Sequence, residues 1–220
     1  MSKRDKKGQF LTREIDFTPN YWLGYLCGLV IGDGSLSETK NRNHFIQVES
    51  TKQELITLFK QVSKKAFPQL PIYSYSCLKS REFPNGQTRQ DTSFIARVDS
   101  KKVYEPLRPF KTKDYQWTIP TFLTTKQSLR GFLRGIFDAE GSVSFYRVTI
   151  SSKHIQGLVS VAWLLLRYRI FTHIYKYPKC SALYIYDYES RRRFAKYVSF
   201  GLLRKRRILN EAIKSQKSRH

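Results

Sequence analysis

Two apolar runs dominate this chain, Tyr21–Gly34 and Leu129–Gly141. Each carries a small residue at every fourth position: Gly24, Gly28 and Gly32 in the first, Gly131, Gly135 and Ala139 in the second. Each closes on one acid followed at once by glycine, Asp33-Gly34 and Glu140-Gly141. On a helix, that spacing aligns the small residues on one face. Glycine costs a helix about 1 kcal/mol relative to alanine, so a triple stripe needs a compensating contact. A second stripe in the same chain supplies one, because two faces without side chains let backbones approach closely. The repeat therefore predicts two helices packed face to face through Gly24, Gly28, Gly131 and Gly135.

Both acids fall where a helix carries partial negative charge, against the dipole. If the helices run parallel, the carboxylates also converge, and at a separation of about 5 Å they repel by roughly 3 kcal/mol at an effective dielectric of 20. A divalent cation relieves both penalties, and hard Mg²⁺ prefers carboxylate oxygen plus water. The following glycines suit a left-handed helix cap and leave room for a ligand. The plainer alternative is a pair of core helices whose terminal acids face solvent.

The segments Leu26-Cys27-Gly28-Leu29-Val30-Ile31-Gly32-Asp33-Gly34 and Leu133-Arg134-Gly135-Ile136-Phe137-Asp138-Ala139-Glu140-Gly141 resemble the motif of LAGLIDADG homing endonucleases. The likeness is to the single-chain, two-motif kind and extends over residues 19–200. The first copy departs from the pattern at Ile31, where the earlier acid would stand; the second keeps it as Asp138. In the family that position is structural and the later one catalytic. The resemblance thus implies catalytic and metal-binding roles for Asp33 and Glu140, with Gly32 and Ala139 flanking the metal.

Lysine and arginine number 40 against 17 acids, a formal charge of +23. Residues 1–17 hold five basic and three acidic residues, and 202–220 hold seven and one; the body between them keeps 28 against 13. Such an excess calls for a polyanionic partner, most simply a nucleic acid. No run approaches the ~18 apolar residues of a membrane span, so a membrane partner is not expected. Cys27, Cys77 and Cys180 are odd in number and scattered, as are the four histidines, which argues against disulfides and zinc. With no secretory signal at the N-terminus, an intracellular location is expected, in cytoplasm or an organelle matrix.

Along the chain, 1–17 reads as a flexible basic arm and 18–108 as a first half. It is followed by a proline-marked linker, 109–123, a second half at 124–200, and a basic C-terminal helix or tail at 201–220. Thr18-Pro19 and Thr124 with Gln127 look like the two helix starts. A hairpin follows each motif, then an amphipathic helix at 52–66 with Leu55, Leu58, Phe59 and Val62 inward, or a helix at 153–168. A second hairpin (72–78 with 92–98, and 173–177 with 182–186) and a closing helix complete each half. The first of these hairpins has a long loop with Arg81, Asn85, Gly86 and Arg89. The fold class is α+β: two αββαββα half-repeats about a pseudo-twofold axis through the motif helices.

Strand alternation puts Leu36, Ile46, Val48, Phe94, Val98, Val143, Phe145, Val148, Ile150, Leu183 and Ile185 inward. Outward stand Ser35, Ser37, Gln47, Glu49, Tyr73, Tyr75, Lys79 and Arg97 in the first half. Ser142, Ser144, Tyr146, Arg147, Thr149, Tyr175, Tyr177, Tyr184 and Tyr186 match them in the second. By the resemblance, this outer face is a saddle on double-stranded DNA, with Lys40, Arg42, Arg81, Arg89 and Lys179 joining from loops. Strands in a groove can read base edges and phosphates.

The resemblance further implies a monomer making a double-strand break with 3′ overhangs. Mg²⁺ would be the cofactor, Mn²⁺ able to substitute and Ca²⁺ able to bind without cleavage. An auxiliary polar residue belongs at the end of the second strand of each half, where this chain reads Glu49-Ser50-Thr51 and Ser151-Ser152. Gln47, Lys52 and Lys153 are the nearby substitutes for that catalytic role. The alternative on the same fold is an RNA maturase acting on intron RNA, or a DNA-binding protein that does not cut.

Overall fold

The computed structural model describes residues 15–39, 43–82, 87–112 and 116–217, with the side chains of 81, 82 and 217 outside that description. The first half runs α1 (Tyr21–Ile31), β1 (Gly34–Glu38), β2 (His44–Ser50), α2 (Gln53–Ala66), β3 (Tyr73–Glu82), β4 (Thr88–Asp99) and α3 (Lys101–Leu107). The second runs α4 (Lys126–Ala139), β5 (Gly141–Val143), β6 (Val148–Ser152), α5 (Ile155–Leu166), β7 (His173–Lys176), β8 (Ser181–Ile185) and α6 (Tyr188–Tyr197). A last helix, α7 (Leu203–Lys217), follows. Each half builds one antiparallel four-stranded sheet, ordered β1-β2-β4-β3 and β5-β6-β8-β7. The same strand order twice is the pseudo-twofold repeat.

The halves meet on α1 and α4, which run parallel with almost no space between them. A Cβ placed on Gly28 would fall 2.3 Å from the Phe132 carbonyl oxygen and 2.9 Å from the Gly135 Cα; one on Gly135 would fall 2.3 Å from the Tyr25 carbonyl oxygen. Gly24 lies against Ser128, and Gly32 against Ala139, so the register holds along both helices. Every residue of α1 from Leu23 to Ile31 is buried, a helix apolar all round because it is covered all round. Ile46, Val48 and Val98 of one sheet and Val148, Ile150, Leu183 and Ile185 of the other join α1, α2, α4, α5 and α6 in one continuous core.

Local details depart from the sequence reading for identifiable reasons. The first helix is capped by Asn20, whose side-chain oxygen accepts from the Trp22 and Leu23 amides at 2.9 and 3.0 Å. Thr18 and Pro19 therefore precede the helix, as expected when asparagine, a strong cap, stands one residue closer. The cap of α4 is Thr125, accepting from Ser128 N–H at 3.0 Å, so the Thr124–Gln127 box does not form. The β3–β4 hairpin extends past both expected ends and pairs Arg81 with Arg89, while Asn85 and Gly86 lie outside the described residues. Pro106 sits inside α3, and Phe145 is 42% exposed at the β5–β6 turn instead of facing the core. Of the arm 1–17, the first fourteen residues lie outside the described residues; Phe17 packs on Phe67 and Phe122, with ring centroids 5.4 and 5.9 Å away.

Candidate nuclease site

Because α1 and α4 run parallel, Asp33 and Glu140 emerge together from adjacent helix ends, each followed by the first residue of a strand. Gly34 and Gly141 serve close approach, not a left-handed turn, since neither has a positive φ. Each strand doubles back over its own helix, and a Cβ would fall 2.6 Å from Val30 Cα at Gly34 and 2.3 Å from the Phe137 carbonyl oxygen at Gly141. Both carboxylates keep an exposed edge, yet protein crowds their inner side. Burial pushes the Asp33 carboxyl above its usual range, opposed by Lys205 and Lys111. Burial first, and then the charge of Asp33, push Glu140 up, again opposed by Lys111 and Lys205.

Those two lysines are the site residues that sequence reasoning missed. The Lys111 ammonium donates into the end of α1, with the carbonyls of Val30, Ile31, Gly32 and Gly34 at 3.0, 2.7, 2.8 and 2.7 Å. Lys205 does the same at the end of α4, donating to Phe137 and Asp138 carbonyls at 3.2 and 2.6 Å. Each cation neutralises a helix C-terminus, so the protein itself offsets part of the strain that the acids impose. Burial lowers the Lys111 pKa to about 8, against the pull of Glu140 and Asp33. Lys205 is lowered likewise, with Asp138 and Asp33 holding its charge.

Different devices deliver the two lysines. Lys111 pairs with Trp117 across a small bridge, and Trp117 is anchored on the second half. Its indole N–H donates to Ser152 Oγ at 3.1 Å, its backbone N–H to His154 Nδ1 at 3.3 Å, and its ring fills the space beside Gly157. Lys205 is placed by Asp138, which accepts from the Gly201 and Leu202 amides at 2.8 and 3.1 Å and from the Tyr25 hydroxyl. The structural acid of the second motif thus fixes where α7 begins. Ile31, its counterpart, is simply core. Each lysine follows the last helix of its own half, a faint signal among 40 basic residues.

The other expected residues are dispersed. Lys153 lines a cleft of about 270 Å³ with Glu140, Lys111, Gln116 and Ser152. Lys52 stands at the cap of α2, near enough to Lys205 to depress its pKa. Gln47 lies on the outer face of the first sheet, opposite Ser35 and Arg97. Register places Ser35, Gln47, Arg97 and Tyr73 in one row across that face, and Ser142, Thr149 and Tyr184 in the matching row of the second sheet. The cations of the first sheet are held by acids: Lys79 to Glu49 at 2.5 Å, Arg89 to Asp91 at 2.9 Å, Arg97 to Asp99 at 2.8 Å. The second face is aromatic. Tyr184 stacks on Tyr186 at 5.2 Å, its hydroxyl lies 3.0 Å from that of Tyr177, and Arg147 covers its ring. Lys40 and Arg42, and the Arg81 side chain, fall outside the described residues.

The two carboxylates offer oxygen donors that suit a hard divalent cation, the helix-end carbonyls beside them being taken by Lys111 and Lys205. Among the described residues, no cluster of three or more His, Cys, Asp or Glu exists, so Asp33 and Glu140 would hold such an ion with water and substrate oxygens as its remaining ligands. The Gly32 carbonyl already accepts from Lys111, and Ala139 presents its methyl to Gly32.

Paired αββαββα units, each giving one acid from a small-residue helix seam, define the two-motif LAGLIDADG architecture. Comparison agrees: residues 127–199 match the sequence profile of the LAGLIDADG-like domain, and the whole chain carries the LAGLIDADG fold. The structure aligns with mesophilic variants of the homing endonuclease I-DmoI at a TM-score of 0.60 and 19% identity, covering 88% of this chain and 99% of that one. I-DmoI in complex with DNA and Ca aligns at 0.57 and 17% identity, over 92% of this chain and 100% of that one. Full-length DUF199/WhiA from Thermatoga maritima aligns at 0.60 and 14% identity, over 93% and 63%.

In sequence, a probable translation initiation factor IF-2 of Thermococcus kodakarensis is 26% identical over 204 residues, 91% of this chain. The RNA polymerase subunit Rpo1C of Methanocaldococcus jannaschii is 24% identical over 202 residues, 89% of this chain. The chain spans only 16% and 21% of the length of these two relatives. No helix among the described residues is long and apolar enough to cross a membrane.

Proposed function

We propose that this protein is a site-specific, divalent-metal-dependent homing endonuclease that makes a double-strand break in duplex DNA as a monomer. The observation that carries the reading is the meeting of Asp33 and Glu140 at the ends of two parallel helices. Half-buried Lys111 and buried Lys205 stand beside them, and the outer faces of both sheets flank them. A cation between the acids would polarise the scissile phosphate and lower the pKa of an attacking water; Mg²⁺ is the natural candidate. I-DmoI, on the same fold, has been solved on DNA with Mn and with Ca.

The chain's own groups do the rest. Lys111 and Lys205 oppose the protonation of the acids that burial and a neighbouring polyanion favour. Their N–H groups are committed to helix carbonyls, so their contribution is fixed charge rather than proton transfer. Two acids, one per half, can address the two strands. Gln47, Lys52 and Lys153 surround the acids at greater distance, as groups that orient water or hold phosphates. The sheet faces grip the duplex, and the cuts leave 3′ overhangs.

Two proteins named for unrelated functions carry a segment matching nearly this whole chain. That pattern supports a module inserted into hosts, as expected of a mobile intron or intein enzyme working on intracellular DNA. The test is digestion of a junction-spanning DNA library with Mg²⁺ and sequencing of the ends. The parent should yield ends clustered at one site, and Asp33→Ala or Glu140→Ala should bind that DNA, fold normally and leave it uncut. Either variant cutting as well as the parent would refute the assignment.

A further inference from the structure

The basic excess is not confined to the sheet faces. At the start of α4, roughly 20 Å along that helix from Glu140, lies a cleft of about 350 Å³ lined by Lys126, Arg167, Arg169, Arg192, Arg193 and Lys196. Its one acid, Glu189, is already engaged: Arg192 holds both its oxygens at 2.8 and 2.9 Å, and Arg193 binds one at 2.8 Å. These arginines hold its carboxyl down at about 2, so it stays charged and still leaves a large positive surplus. The rings of Tyr168 and Tyr197 form part of the wall, 5.6 Å apart. A second hollow of about 240 Å³ shares Lys126, Arg167 and Tyr168 and extends the groove towards Thr124 and Leu164.

This groove cannot serve the duplex that lies over the acids. Helices α5 and α6 cover the core side of the second sheet, through Leu158, Val161, Leu165 and Phe194, while the tyrosines line its other side. Two independent features mark the groove as built for a ligand. Arg169 adopts φ 55° at the turn that closes α5, a conformation that favours glycine or asparagine, yet the chain places a cation there, in the lining of the cleft. The rings of Tyr168 and Tyr197 stand among these cations, while Trp163, 66% exposed, lines a separate apolar hollow with Leu166 and Phe171. Basic side chains that track a backbone beside an aromatic platform are what single-stranded nucleic acid requires.

We propose that this groove is a second nucleic-acid site, taking a single strand by its phosphates along the Arg167–Lys196 cleft with a base stacked against Tyr168 or Tyr197. It stands apart from cleavage and needs no metal. The experiment is fluorescence anisotropy with the full chain and labelled oligouridylate or oligothymidylate of about 16 nucleotides, with and without excess unlabelled duplex. The parent should bind one or both strands while duplex fails to displace them. The triple variant Arg167→Ala, Arg192→Ala, Lys196→Ala should weaken strand binding at least tenfold. Its affinity should also depend less steeply on salt, the logarithmic slope falling by about 0.7 for every phosphate the variant no longer neutralises.

Duplex binding by that variant should be unchanged, whereas Arg147→Ala with Tyr175→Ala should weaken duplex and spare the strand. Preference for the uridine or the thymidine oligomer identifies RNA or DNA as the source. Should the triple variant not fold, the exposed single change Lys196→Glu carries the same test. Displacement of the strand by duplex, or indifference of strand binding to the cleft variants, would overturn the proposal. So would failure of the parent to bind either oligomer.

Discussion

One ammonium group facing four carbonyls is an unusual expense for a surface-derived lysine, and Lys111 bears it at the end of α1. Lys111→Met keeps the stem and removes the donors. Stranding these acceptors costs about 2 kcal/mol, a drop of about 4–8 °C in melting temperature at this chain length, with slower cleavage once the charge between the acids is gone. A thermal melt beside a single-turnover assay checks both. Glu140 gives the opposite sign. Its folded carboxyl holds a proton that the unfolded chain has already released, so stability falls as pH rises from the usual glutamate range through the raised value. Glu140→Gln should therefore melt higher than the parent at pH 7. The difference should vanish in acid and invert when metal stabilises the parent; melts at both pH values, with and without Mg²⁺, decide it. The acids were legible because each ends a recognisable repeat. The lysines were not, because docking of Trp117 and of the Gly201–Leu202 amides, rather than any local pattern, brings them to the helix ends.

Among the elements, periodicity served best where one face is buried and the other wet. The amphipathic α2, the alternating β2 and β4, and the small-residue stripes of α1 and α4 all follow from that contrast. It served least at boundaries. Asn20 and Thr125 each captured a cap from a neighbour one or two residues away, and the β3–β4 ladder ran on through polar residues that carry no burial signal. Phe145 left the inward set because the β5–β6 turn begins earlier than alternation implied. The seam itself makes a firm prediction. At Gly28 even one methyl meets backbone rather than a yielding side chain, with the Phe132 oxygen at 2.3 Å, so the helices must separate to admit it. Gly28→Val should cost at least about 3 kcal/mol and divide the two acids, abolishing cleavage even in the fraction that remains folded. Denaturant unfolding followed by intrinsic fluorescence measures the first, and digestion at a temperature well below the midpoint measures the second. Retained stability would mean that the stripe is not the close contact the structure shows.

On the scale of the whole molecule, the two halves share strand order but not reach. Strands β3 and β4 hold 10 and 12 residues, and their counterparts β7 and β8 hold four and five. At about 3.4 Å per residue, the longer hairpin spans about 40 Å and the shorter about 17 Å. The first carries its cations out along this length, Lys79 and Arg89 beyond Tyr73 and Arg97, while the second gathers tyrosines against one another on its short strands. Duplex DNA rises about 3.4 Å per base pair, so the protein should cover DNA unequally on the two sides of the cut. The expected footprint extends farther beneath the first half, on the order of seven base pairs more, with its outer part held by salt-sensitive phosphate contacts. The inner part beneath the second half should be less sensitive to salt, because hydroxyls and aromatic rings replace charges there. Hydroxyl-radical footprinting of the cleaved site at two salt concentrations, using Ca²⁺ to hold the complex, tests both statements. Equal arms about the cut would mean that the outer β3–β4 hairpin stands clear of the duplex and that the pseudo-symmetric core alone sets the length of the target.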